Sequence, residues 1–120
     1  MEAINIKEKF SKINNFWSPG IIGELNGQYV KLAKLHGDFI WHSHEHEDEL
    51  FMVIKGTLHM HFREKTTIVK EGEIIIVPKG VEHKPETKNE EVQILLFEPK
   101  NTLHTGEVVF EKTNNDQQWI

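Results

Sequence analysis

The sequence predicts an all-β chain, an antiparallel sandwich or barrel, and two observations carry that expectation. From Tyr29 onward the residues fall into short runs with strand character: YVKLAKLH, DFIWHSH, ELFMVIK, TLHMHFR, TTIVK, EIIIVP and VQILLFE. Glycine, proline, asparagine or acidic clusters separate these runs, and no helical stretch stands between them, which argues against an α/β fold. GEVVFEK is expected to add a last strand.

The beginning of the chain reads differently. Asn5 and Glu8 have the spacing of a capping box, and Ile6, Phe10 and Ile13 fit one face of a short helix. An extended segment at INI is the competing expectation. Asn14, Asn15, Ser18, Pro19 and Gly20 end the element, so residues 1–28 form an N-terminal extension and residues 29–120 the domain proper. Within that domain Lys55-Gly56-Thr57 is expected to be a tight hairpin, because glycine takes positive φ at little cost. Asn89 to Glu91 is a polar turn before the next strand.

Strand parity assigns faces. In ELFMVIK, Glu49, Phe51 and Val53 oppose Leu50, Met52 and Ile54; in DFIWHSH, Ile40, His42 and His44 oppose Phe39 and Trp41. In TLHMHFR the apolar set Leu58, Met60 and Phe62 is expected inward, which sends His59 and His61 outward. Several strands are apolar on both faces, so the outer one needs a cover. A homodimer through that face is the preferred expectation, with burial beneath residues 1–28 as the alternative.

Composition narrows the function. A chain of 120 residues is one domain on length, and 38% hydrophobic with 28% charged residues reads as an ordinary soluble globular protein. The net charge of -5, with scattered lysines, offers no basic footprint for nucleic acid. Cysteine is absent, which excludes disulfides, thiolate nucleophiles and sulfur-ligated metals. No signal-peptide layout opens the chain and no apolar run nears the roughly 20 residues of a membrane span, so a cytoplasmic location without membrane association is expected.

The most informative segment is HSHEHEDELFMVIKG, His42 to Gly56. Residues two apart on a strand point the same way, so the imidazoles of His42 and His44 can converge on one ion. Glu49 begins the following strand and can point back into the same cavity. His83 follows GEIIIVPKGVEH, where Pro78 and Gly80 stiffen and bend its approach. Together these four groups can make a divalent metal site with positions left for water or substrate. His36, His59, His61 and His104 read as surface or hydrogen-bonded histidines, and His46 as a loop or rim residue.

These residues resemble the motifs of a small single-domain cupin, the double-stranded β-helix or jelly-roll barrel family. The first motif, two histidines one residue apart, then a glutamate and a glycine, is met by His42, His44, Glu49 and Gly56. Its usual leading glycine would fall at His36, and Gly37 stands beside it. The second motif is met by Gly72, Pro78, Gly80 and His83, with Thr87 where an asparagine often stands. The resemblance implies nitrogen ligands from His42, His44 and His83 and an oxygen ligand from Glu49. It further implies one divalent transition metal per chain, among iron, manganese, nickel, zinc, cobalt and copper, and dimers through sheet faces.

Three neutral imidazoles and one carboxylate leave a divalent ion with net positive charge, which favours an anionic oxygen ligand such as an enolate or carboxylate. Ile40, Phe51, Val53, Leu58, Met60 and Phe62 are candidates for an apolar lining around a small-molecule ligand. Sugar phosphates would require basic clamps, for which Arg63 and Lys70 are the nearest candidates. The leading expectation is therefore an oxygenase acting on an aromatic or enolisable carbonyl compound. A metal-dependent sugar or sugar-phosphate isomerase, epimerase or lyase, and a non-catalytic binding or sensing module, are the alternatives. No side chain is assigned as a catalytic acid or base: Glu45, Glu47, Asp48 and Glu82 read as a solvated acidic rim, and the metal centre itself is the expected catalytic element.

Overall fold

A computed structural model describes residues 1–103, 105–106 and 117–120 of the chain. His104 and, apart from Gly106, the strand expected at GEVVFEK lie outside the described residues.

The N-terminal element is a short helix, α1 (Ile6–Phe10), capped as its sequence indicates: the Asn5 side-chain oxygen accepts from the Glu8 N–H at 3.0 Å. Phe10 and Ile13 are buried with Ile22 and Leu32, and Val30, Ile54 and Leu95 pack against them. Nine strands follow among the described residues: β1 (Gly20–Leu25), β2 (Gln28–Leu35), β3 (Glu49–Lys55), β4 (Leu58–Phe62), β5 (Thr66–Val69), β6 (Ile74–Val77), β7 (His83–Glu86), β8 (Val92–Pro99) and β9 (Gln118–Trp119). They form a six-stranded sheet in the order β6-β3-β8-β2-β1-β9 and a three-stranded sheet in the order β5-β4-β7.

The inner faces meet over Phe51, Val53, Leu58, Met60, Val69, Val77, Val92, Ile94 and Leu96, the alternate residues of their strands. Ile40 and Phe62 only border this core. Among the described residues no strand ladder joins the two sheets, so the fold is a mostly β double sheet and not the closed jelly-roll barrel expected. The Gly56 turn also departs from the expectation. Gly56 (φ 87°) is a corner between sheets and not a hairpin, because β3 pairs with β6 and β8 whereas β4 pairs with β5 and β7. A Cβ at Gly56 would lie 2.9 Å from a Glu90 carboxylate oxygen and 3.0 Å from a Val92 methyl, so the corner needs glycine for space as well as for φ.

Three strands went unforeseen, β1, β7 and the two-residue β9, and one expected strand is irregular. β1 carries glycines at 20 and 23 and a register shift between Ile21 and Gly23. β7 reads HKPE, and its proline is tolerated because β7 is an edge strand of the smaller sheet. The DFIWHSH segment makes only isolated bridges, Asp38 to Glu86 and His42 to His83, alongside β7. Its parity slips at the start, where Phe39 is buried and Ile40 only half-buried, and holds from Trp41 to His44.

On the outer face of the larger sheet the α1 region covers one part only. Ile74 and Ile76 are 54% and 58% exposed, and their cross-strand partners Met52 and Leu50 are half-buried. No helix among the described residues is long and apolar enough to cross a membrane.

Candidate metal centre

Four of the expected ligands meet. His42 and His44 come from the segment beside β7, Glu49 opens β3 and His83 opens β7. The backbone brings these segments together: His42 N–H donates to His83 O at 3.0 Å and His83 N–H to His42 O at 2.9 Å. Gly80 N–H donates to His44 O at 2.8 Å, and the Asp48 carboxylate accepts from Lys79 N–H at 2.8 Å, so the turn before His83 is tied to both sides of the first motif. Asp48 thus has a structural partner on the rim.

Each of the four residues offers one ligand atom, and these atoms lie within 4.8 Å of one another, all on buried side chains. Glu49 Oε1 is 2.7 Å from His44 Nε2 and 3.4 Å from His83 Nε2. The Nδ1 atoms of His42 and His83 lie 2.9 Å from the carbonyl oxygens of Ile40 and Val81. A carbonyl can only accept, so in both rings Nδ1 carries the proton and Nε2 presents a lone pair. Burial, and next the neighbouring His83, push the His42 pKa down to about 4, which keeps that ring neutral.

The fit to a metal rests on unmet polar atoms. His44 Nδ1 and Nε2, His83 Nε2 and Glu49 Oε1 are all buried without a hydrogen bond of good geometry. A native interior rarely leaves so many such atoms in one place, and a divalent cation would satisfy the converging set. Nitrogen and oxygen donors of this kind suit a borderline transition metal.

Behind the cluster lies a buried charged row that the sequence reading missed. Glu98 and Lys31 are 1% and 3% exposed, and Lys31 Nζ donates to Glu98 Oε1 at 2.8 Å. Glu98 is the neighbour of Glu49 across the β3–β8 ladder. Burial raises the Glu98 carboxyl well above the usual carboxylate range, and the charge of Glu49 adds to that against the opposing effect of Lys31. Burial acts on Glu49 in the same sense, but the neighbouring Glu98 and, after it, His44 and His83 outweigh it and hold Glu49 well below that range. The two carboxyls are thus shifted in opposite directions. A parity signal was available: in VQILLFE the glutamate is in phase with Val92, Ile94 and Leu96, which face the core.

His42 and Glu49 also line a small cavity of about 40 Å³, whose other walls include Trp17, Phe39, Phe51, Leu96 and Pro85. Trp17 comes from the N-terminal extension, with φ 58°, and its ring stacks on Phe39 at 4.5 Å between centroids. No feature of the sequence marks Trp17 as a cavity residue.

The remaining histidines stand apart. His36 and His46 are exposed, and His46 is 3.9 Å from Glu45 and not among the converging atoms. His59 and His61 are half-buried; His61 bonds Thr66 Oγ1 at 2.7 Å and Glu86 Oε1 at 2.6 Å. Arg63 is held by Glu82 through two hydrogen bonds and lies 3.9 Å over the Trp41 ring, and Lys70 is exposed; neither lines the cavity.

Known proteins share this architecture. A solved cupin-2 domain containing protein from Shewanella frigidimarina NCIMB 400 is 46% identical, with a TM-score of 0.79 over 81% of this chain and 94% of that one. A solved protein from Neisseria meningitidis is 33% identical, with a TM-score of 0.74 over 82% of this chain and 100% of that one. The uncharacterized protein YdbB of Bacillus subtilis (strain 168) is 35% identical over 83 residues, 68% of this chain and 67% of its own. The cupin domain family matches residues 28–98, the span that contains all four converging side chains, and the chain belongs to that family.

Proposed function

We propose that His42, His44, Glu49 and His83 hold one divalent transition metal, and that the protein is a small-molecule metalloenzyme of oxygenase type. Its substrate class is a small aromatic or enolisable carbonyl compound. The observation that carries this reading is the set of buried, hydrogen-bond-deficient ligand atoms on His44, Glu49 and His83, beside a cavity that Glu49 and His42 line and whose other described walls are apolar. When bound, the metal supplies Lewis acidity and, for a redox-active ion, access to dioxygen. The protein's share is orientation and exclusion of water: Ile40 and Val81 carbonyls aim His42 and His83, and the stacked Trp17 and Phe39 wall the cavity. A cavity of about 40 Å³ admits only a few non-hydrogen atoms without rearrangement. Among the described residues no lysine or arginine lines it, which disfavours a sugar phosphate.

Within residues 1–28, in this reading, the α1 region covers part of the larger sheet, Trp17 and Pro19 supply a cavity wall, and β1 extends the sheet itself. The exposed Ile74 and Ile76, next to Leu50 and Met52, support a homodimer through the uncovered part.

The test is elemental analysis of untagged protein purified without added metal, its oligomeric mass taken on the same sample, followed by oxygen uptake with phenolic and diketone substrates. About one metal per chain, a dimer mass and substrate-dependent oxygen uptake are expected. No metal, and none taken up on titration, would end the metalloenzyme reading. Anaerobic turnover would replace the oxygenase by an isomerase or lyase.

A further inference from the structure

Lys31 and Glu98 are buried, charged and unused by the ligand set. Their placement follows from strand register. β3 and β8 pair Leu50 with Phe97, so one step further along the antiparallel ladder Glu49 faces Glu98. β2 and β8 pair Tyr29 with Glu98 and Lys31 with Leu96, so Lys31 lies one diagonal step away on the same inner face. Three neighbouring strands therefore carry a row, Glu49, Glu98, Lys31, across the floor of the cavity side of the sheet.

Stability does not explain such a row. Two carboxyls and an ammonium withdrawn from water incur a desolvation cost that their mutual attraction offsets only with good geometry, and apolar residues in their place commonly leave a fold as stable. Nor is Glu98 a further ligand in this geometry, because it is not among the atoms that converge within 4.8 Å. The row ends on Glu49. Lys31 engages Glu98 Oε1, and the Lys31 ammonium lies a further 3.5 Å from the Thr102 carbonyl. The other oxygen, Glu98 Oε2, is buried and meets no donor. Glu49 is its neighbour across the β3–β8 ladder, and a proton on Glu98 Oε2 would let that oxygen donate to the Glu49 carboxylate.

We propose that Glu98, anchored by Lys31, is a positioning residue that fixes the Glu49 carboxylate with a single oxygen turned toward the three imidazoles. The inference rests on the metal-binding reading above. Outer partners of metal ligands set ligand orientation, and here the partner is a carboxyl reached through a sheet ladder in place of the usual contact to a histidine.

Cobalt(II) titration against a competing chelator, with the visible absorption spectrum of the bound ion, tests it. Glu98→Gln keeps a donor for Glu49 and an acceptor for Lys31, so it is expected to bind with near wild-type affinity and spectrum. The double variant Lys31→Met, Glu98→Leu replaces the row by apolar side chains and leaves no unpaired charge; its affinity is expected to fall about 10–100-fold with a shifted spectrum. Lys31→Met alone is expected to move the spectrum in the same direction, and it carries the test if the double variant does not fold. Apolar variants indistinguishable from wild type, or a Glu98→Gln protein as weak as the double variant, would overturn the positioning role. Wild type that takes up no cobalt would instead overturn the metal-binding reading, and the role with it.

Discussion

Two histidine pairs of identical spacing, His42/His44 and His59/His61, meet opposite fates in this chain. The first lies inside, against Glu49 and His83, with one ligand nitrogen of each ring among the converging atoms. The second lies on the outer face of the smaller sheet, where His61 is satisfied by Thr66 and Glu86 and its hydrogen bond holds the Glu86 carboxyl below the usual range. Spacing makes both pairs capable of sharing an ion. The face of the strand, set by Leu58 and Met60 packing inward, decides which one is positioned to do so.

Alanine substitution breaks this comparison most directly. His83→Ala removes a nitrogen from the converging set and is expected to weaken metal binding by more than the roughly hundredfold that loss of an outer partner costs. His61→Ala removes two surface hydrogen bonds and is expected to leave metal content unchanged while lowering stability by about 1 kcal/mol. Metal analysis and urea denaturation of both variants decide it. Loss of metal from the His61 variant with retention in the His83 variant would reverse the assignment of faces.

Acidity separates the pairs in a second way. Above its unfolded pKa near 6.5, His42 is neutral whether the chain is folded or not, and the fold keeps its full stability. Between that value and about 4, the unfolded chain binds a proton that buried His42 refuses, so stability falls as pH falls through this window. The shift corresponds to roughly 3 kcal/mol at most. Denaturation of metal-stripped wild type and His42→Asn from pH 7 to pH 4 should show the wild type losing more, by an amount of that order. Equal pH dependence would mean that His42 is not held neutral by burial.

How legible the site was follows from the same physics of faces. Glu49, Phe51 and Val53 alternate with Leu50, Met52 and Ile54 along a regular strand, and the burial pattern repeats that alternation residue by residue. Parity could also have found Glu98, but a glutamate at the end of an apolar run is easily read as the place where the run meets solvent. Pro85 hid β7, because proline removes a ladder donor and only tertiary placement at an edge makes that harmless. Gly56 announced a turn without saying which strands it joins, since positive φ serves an inter-sheet corner and a hairpin alike. Lys31 was illegible for a different reason: its burial depends on a partner 67 residues away.

The smallest effect is expected at Thr87, and it isolates what keeps the inner histidine pair in line. Its hydroxyl oxygen accepts from Gly37 N–H at 2.7 Å, while Thr87 N–H donates to Gly37 O at 2.8 Å, so this buried residue clasps the start of the first motif to the end of the second. Thr87→Val keeps the shape and the backbone bond but leaves Gly37 N–H without its acceptor, at a cost of about 1 kcal/mol. Thr87→Asn, the residue that the second motif often carries here, retains an acceptor and should cost less. In both variants the His42–His83 backbone bridge still fixes the ligands, so metal affinity is expected to stay at the wild-type value. A loss of affinity in Thr87→Val that Thr87→Asn restores would sharpen the contrast between the two pairs. Convergence would then depend on the clasp at Gly37 as well as on the inward face, a constraint that the outer pair, built into the regular ladder of β4 with β5 and β7, never meets.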